Sequence, residues 1–122
     1  MNVYDAGVLI AADRGDRSVW ARHQRMLAGN EIPTTTALVV AQASRSPQQA
    51  QLRRFLKSCR VLGFDKDAGH EIGTLLRLSH TSDVTDAHLV RIGAGSVIWT
   101  SDPDDLNAIA PYVDPRPLIR TI

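Results

Sequence analysis

The sequence predicts an α/β fold, a three-layer α/β/α sandwich around a mostly parallel central sheet. Short stretches able to form strands alternate with helical patterns along the whole chain. The stretch Ser96–Thr100 is a near-continuous apolar run of the kind found in strands covered on both faces. Acidic residues directly follow two of the strands, at the edge where open parallel sheets form their crevices.

Taken in order, Asn2–Asp5 reads as a first strand that ends in an acid and is followed by the apolar Val8-Leu9-Ile10-Ala11-Ala12. From Asp16 to Ala28, Val19, Trp20, His23, Met26 and Leu27 recur at helical spacing, and Gly29-Asn30 closes the helix. His23 lies within that apolar stripe, the setting of a packed or hydrogen-bonded histidine. Glu31–Thr34 is a brief second strand, after which Thr35 or Thr36 caps a helix through Ser44. Gln42 is the large polar group of that helix. Ser46-Pro47-Gln48-Gln49 has the pattern of a helix start, with a Ser cap and Pro at the first position, and the helix runs to about Lys57.

Arg60–Phe64 reads as a third strand. Asp65 caps the next helix, on which Ala68, Ile72, Leu75, Leu76 and Ser79 form one face. Asp83 opens a further helix that places Asp86, Leu89, Val90 and Gly93 on one side. The strand Ser96–Thr100 leads to Asp102, a helix from Pro103 to about Ala110 and a final strand, Pro117–Ile122. There is no internal repeat, low-complexity stretch or linker, so residues 1–122 are expected to form one domain.

Composition narrows the function classes. Cys59 stands alone, which excludes an internal disulfide and a cysteine-rich zinc site and fits a reducing compartment. His70, His80 and His88 lack the helical i, i+4 spacing of a histidine metal pair. No run approaches the roughly 18 apolar residues of a membrane span, so a cytoplasmic protein without membrane contact is expected. The net charge of +1 hides an asymmetry: Arg14 to Arg60 holds nine basic residues against Asp16 and Glu31, whereas Asp65 to Asp105 holds eight acids against three bases. Such a basic half suits a nucleic acid, a partner protein or simply a solvated face.

The chemistry concentrates in the acids. Asp5 and Asp102 stand at strand carboxyl ends, and Asp83 and Asp86 open a helix able to reach the same rim. Asp83 and Asp102 also have the pattern of helix caps, as do Asp104 and Asp105 of helix-start and rim residues. Carboxylates brought together raise one another's pKa unless a cation neutralises them, and hard oxygen donors favour Mg²⁺ or Mn²⁺. The matching reaction is phosphodiester hydrolysis, in which a divalent ion polarises the phosphate and acidifies the attacking water.

Four motifs in order, YDAGVLIAADRGDR, TTALVVAQASRS, TSDVTDAHLV and VIWTSDPDDL, together resemble the PIN-domain ribonucleases of the VapC toxin type over essentially the whole chain. The resemblance implies a small α/β/α endoribonuclease using Mg²⁺ or Mn²⁺, usually homodimeric and neutralised by a cognate antitoxin. It assigns Asp5, Asp86 and Asp102 as catalytic and metal-binding acids and makes Asp83 an additional metal candidate. Thr100 or Ser101 would hold a carboxylate or a water by its hydroxyl.

Gln42 departs from the pattern, since the family usually has Glu there. An amide oxygen can bind a cation weakly but brings no charge and cannot act as a base. Gln42 is therefore expected as a weak ligand or a group that supports the ligands. The same departure motivates an alternative, a catalytically weakened PIN domain that binds RNA or protein. Arg14, Arg17 and Arg45 are candidate RNA contacts from their charge and location. A phosphorylated receiver domain shares the acidic strand ends, but no lysine follows the last strand to pair with a phosphate.

Overall fold

The computed structural model describes residues 1–122. Its elements are β1 (Asn2–Tyr4), α1 (Ala6–Asp13), α2 (Arg17–Ala28), β2 (Thr34–Thr36), α3 (Ala37–Ala43), α4 (Ala50–Lys57), β3 (Arg60–Leu62), α5 (Lys66–Ser79), α6 (Val84–Ile92), β4 (Val97–Thr100), α7 (Pro103–Ile109), a 3₁₀ turn (Ala110–Tyr112) and β5 (Leu118–Thr121). The five strands form one sheet in the order β3-β2-β1-β4-β5, and every pair is parallel. The expected sheet is thus fully rather than mostly parallel. From β1 the chain moves outward through β2 to β3, then returns to the other side of β1 for β4 and β5. The strand order therefore reverses between β1 and β4, and such a reversal opens a crevice at the strands' carboxyl ends.

The helices cover the sheet in two groups, with α1 packing on α2, α3 and α4, and α5 on α6 and α7. Leu9, Val39 and Phe55 are fully buried from the first group, Ile72, Leu89, Val90, Leu106 and Ile109 from the second, and Val3, Tyr4 and Ile98 from the sheet between them. α1 is the apolar Val8–Ala12 stretch with Ala6 and Gly7 before it and Asp13 after it. Its Val8, Leu9, Ala11 and Ala12 are all buried, which is why it shows no amphipathic period. β4 alternates half-buried with buried positions rather than being covered throughout.

Three elements differ from the sequence expectation. The second strand lies at Thr34–Thr36, beyond Glu31–Thr34, and its three threonines are buried between the layers. The third strand stops at Leu62. The helix expected from Ser46 begins only at Ala50 and has no side-chain cap at its own N-cap residue, Gln49. Instead the Asp13 carboxylate, from the end of α1, accepts from Leu52 N at 3.3 Å and from Gln49 Nε2 at 3.0 Å. Gln49 Oε1 in turn accepts from Arg45 N and Ser46 N, turning the loop that Ser46 was expected to close. An acid at a helix N-terminus serves as well from another helix as from a local cap.

One polar group crosses the core. His23, 1% exposed, lies with its ring centroid 4.0 Å from that of Phe55, with Nδ1 2.9 Å from Tyr4 Oη and Nε2 2.7 Å from Ser58 Oγ. The Ser58 hydroxyl gives its proton to Phe55 O at 2.9 Å, so it accepts from Nε2–H, and Nδ1 accepts from Tyr4. His23 is thus a packed neutral histidine, as its place in the stripe implied. Burial holds its pKa below the ordinary 6.5, and does the same for His88. The unfolded chain therefore binds more protons below about pH 6.5, and folding stability falls as the pH drops through that window. Urea unfolding over a pH series should show this slope, and His23→Gln should flatten it.

Candidate active site at the carboxyl edge of the sheet

The register places Tyr4 opposite Trp99, so the residues after β1 and near the end of β4 emerge side by side at the point of strand reversal. Asp5 is the N-cap of α1, and its two oxygens are both engaged. Oδ1 accepts from Ala6 N at 2.7 Å, and Oδ2 accepts from the Thr100 hydroxyl at 2.7 Å. Thr100, fully buried, accepts in turn from Asp102 N at 3.0 Å. One hydroxyl thus fixes the carboxylate of Asp5 and the backbone of Asp102.

Asp102 is the N-cap residue of α7 but makes no capping hydrogen bond, which leaves its carboxylate free. Asp83 does cap α6, with Oδ1 accepting from Asp86 N at 2.9 Å. Asp86 follows in the first turn of that helix. With Asp83, Asp105 and the backbone around Thr81 it lines a depression of about 260 Å³. The N-termini of α1, α6 and α7 therefore all present acids at one edge, where the helix dipoles favour negative charge.

Electrostatics confirms the convergence. Burial pushes the Asp86 carboxyl up to about 7, and the nearby charges of Asp83, Asp5, Asp105 and Asp102 push it the same way. No cation acts on it. A free carboxyl in this setting resists ionisation, and the donor set fits a hard divalent ion. No three acidic, histidine or cysteine side chains are drawn together tightly enough to enclose an ion by themselves. Mg²⁺ is commonly held by one or two carboxylates and completed by water, which this rim can supply.

The loop after β4 sits against α1 at a point that only glycine allows. A Cβ on Gly7 would stand 2.1 Å from Ser101 Oγ and 3.1 Å from Ser101 N. Gly7 thereby lets the end of β4 approach closely enough for Thr100 to reach Asp5. Ser101 itself is exposed and bonds none of the acids.

Of the residues singled out in the sequence, Asp5, Asp83, Asp86 and Asp102 come together at this edge, with Thr100 bonded to the first. Gln42 is half-buried on α3 and makes no hydrogen bond through its side chain. Arg14 lines a neighbouring cleft together with Ser101. Arg17 is exposed at the start of α2 and outside that cleft, while the Arg45 guanidinium bonds Ala41 O and Ser44 O at the end of its own helix. Asp105, read as a helix-start residue, belongs among the acids that act on Asp86. Its signal was the i, i+3 spacing from Asp102, which puts both on one side of α7.

Protein-family models and curated proteins give no match to the sequence. Solved structures do. A chain of the VapBC2 structure from Rickettsia felis, bound to a DNA fragment from their promoter, superposes with a TM-score of 0.71 at 15% identity, covering 99% of this chain and 98% of that one. PAE2754 from Pyrobaculum aerophilum superposes with a TM-score of 0.59 at 18% identity, covering 97% of this chain and 81% of that one. At these identities the likeness concerns the fold, and the chain has the PIN-like, VapC-like α/β fold that its motifs resemble.

Two outcomes follow for the site. Because folding raises the Asp86 carboxyl from 3.8 to about 7, ionising it costs stability, a cost that builds between those values and is complete above them. Asp86→Asn should therefore raise the unfolding free energy above pH 7 without divalent cation, by about 1–2 kcal/mol after allowance for solvent screening, measured by chemical denaturation. Gly7→Ala should lower stability by about 1–3 kcal/mol through overpacking against Ser101. Adding Ser101→Gly should recover most of that loss in the same denaturation experiment.

Proposed function

We propose that this chain is a metal-dependent endoribonuclease, acting as one domain over residues 1–122 and serving as the toxin of a toxin–antitoxin pair. The observation that carries the reading is the convergence of Asp5, Asp83, Asp86 and Asp102 at the carboxyl edge between β1 and β4, where burial and the other carboxylates raise the pKa of Asp86. Such a site is costly to the fold and is compensated by a cation. Asp5, Asp86 and Asp102 are the catalytic and metal-binding acids in this proposal, with Asp83 as a further ligand through the oxygen not used in capping. When bound, Mg²⁺ or Mn²⁺ supplies Lewis-acid polarisation of a phosphate oxygen and acidification of a water.

The residues themselves orient the reaction. Ala6 N and Thr100 Oγ1 hold the Asp5 carboxylate in one rotamer, and Thr100 also holds the backbone from which Asp102 projects. Little reorganisation is then needed when substrate arrives. The positive N-termini of the three helices hold the acids themselves, offsetting part of their mutual repulsion. Arg14, Arg17 and Arg45 are placed in the basic half as RNA contacts, with Arg45 partly committed to its own helix end.

In this proposal the protein acts in the cytoplasm, as a homodimer, and is neutralised by an antitoxin. The likeness to a chain of the Rickettsia felis VapBC2 complex supports the partnership.

Asp5→Asn and Asp86→Asn should each abolish Mg²⁺- or Mn²⁺-stimulated cleavage of an RNA pool, and unchanged turnover in both would sink the assignment. Gln42 favours a second reading, a PIN domain that binds RNA or protein without cutting, because it brings no charge and no hydrogen bond to the site. Gln42→Glu separates the two: a gain in metal-stimulated cleavage supports the enzyme, and the absence of cleavage in both forms supports the binding module.

A further inference from the structure

Beside the acids, α1, the start of α2 and the end of β4 enclose a second cleft of about 370 Å³. Its polar lining is Arg14, Asp16, Ser18, Arg22 and Ser101, with Ile122 as an apolar wall. We propose that this cleft binds a backbone phosphate of a polynucleotide, a few nucleotides from the bond that is cut, with Arg14 and Arg22 as the positioning residues. Its place relative to the cut rests on the nuclease reading given above.

The charge and hydrogen-bonding inventory favours a phosphodiester. Neither arginine is in an ion pair, the salt bridge of the molecule being Arg91–Glu71 on the opposite layer. Two guanidinium groups and two hydroxyls offer donors matched to phosphate oxygens. The Arg22 guanidinium lies 4.4 Å from the centroid of the Trp99 ring, which orients its plane before any ligand arrives. Asp16 offsets one of the two positive charges, but its Oδ1 is occupied as the N-cap acceptor from Val19 N at 3.0 Å. It therefore attenuates the site without closing it.

The covalent connections tie this cleft to the acids. Ser101 follows Thr100, the residue bonded to Asp5, and packs on Gly7 of the helix that Asp5 caps. Arg14 is the C-cap of that same helix. An eight-residue helix rises about 12 Å, a span that a few nucleotides of backbone cover. A strand running from the acid rim over Ser101 thus enters the cleft with its phosphates facing Arg14 and Arg22. Folding brings Arg22 from α2 to the end of β4, against Trp99.

The test is fluorescence anisotropy of a labelled oligouridylate with the full chain in the absence of divalent cation, beside separate cleavage assays with Mn²⁺. Arg14→Ala and Arg22→Gln should each weaken binding about tenfold. Each should also reduce the slope of log affinity against log salt by about 0.7, the value for one single-strand phosphate contact. Asp16→Asn keeps the helix cap and removes the opposing charge, so it should tighten binding a few-fold. A misfolded variant could not produce that gain. An oligouridylate with an uncharged methylphosphonate backbone should bind weakly and show no Arg14 effect.

Unchanged affinity and salt slope in both arginine variants would overturn the proposal. So would displacement of the oligouridylate by polyglutamate at equal charge, which would make the cleft a site for acidic protein. Intact cleavage with no arginine effect removes the cleft and leaves the nuclease reading standing. An arginine effect in a protein that never cleaves RNA leaves the cleft standing and removes the nuclease reading.

Discussion

The hydroxyl of Thr100 is the joint on which this molecule's chemistry depends. It donates to Asp5 and accepts from the backbone of Asp102, so a single buried oxygen links the first strand of the chain to the first turn of α7. A buried hydroxyl left without partners is costly, and here both its donor and an acceptor lone pair are engaged. The bond requires β4 to lie beside β1 in the register observed and requires the following loop to press onto α1. Gly7 provides the second condition by having no side chain where Ser101 sits. Sheet topology, a glycine and a threonine thus converge on the orientation of one carboxylate.

The acids illustrate how stability and function oppose one another. Asp83 helps its helix by capping it, while Asp86, one turn on, is destabilised by burial and by its neighbours. A helix N-terminus satisfies part of a carboxylate and leaves the rest exposed, so capping does not exhaust these side chains. The opposing layer shows the contrasting solution for a polar side chain: His23 is buried neutral with both ring nitrogens bonded.

Much of this organisation was legible in the sequence where local rules decide it. Asp65 and Asp83 each cap the helix that follows, and Thr36 caps α3, as their spacing indicated. The acids at the carboxyl ends of β1 and β4 were legible because a parallel sheet brings such ends to one edge. What was not legible came from distant residues. Asp13 caps α4 from 39 residues away, which no reading of Ser46-Pro47-Gln48-Gln49 could contain. The register of short strands likewise depends on partners: Thr34–Thr36 carries no apolar run and is a strand because β1 and β3 flank it. Asp105 was visible only as helix-start chemistry until α7 was set against α6.

The reversal of strand order also has a temporal meaning for a chain made from its N-terminus. β1 precedes the other strands and occupies the middle of the sheet, but its neighbour β4 follows β2 and β3 in the chain, and the Thr100–Asp5 bond joins residues 95 apart. Contacts between residues so far apart form late and slowly compared with local ones. The N-terminal helices can acquire structure during synthesis while the acid site still lacks one of its two walls. Until β4 has been made, the carboxylate of Asp5 lacks the hydroxyl that orients it, and the acidic edge takes shape only once residues 100–102 are in place.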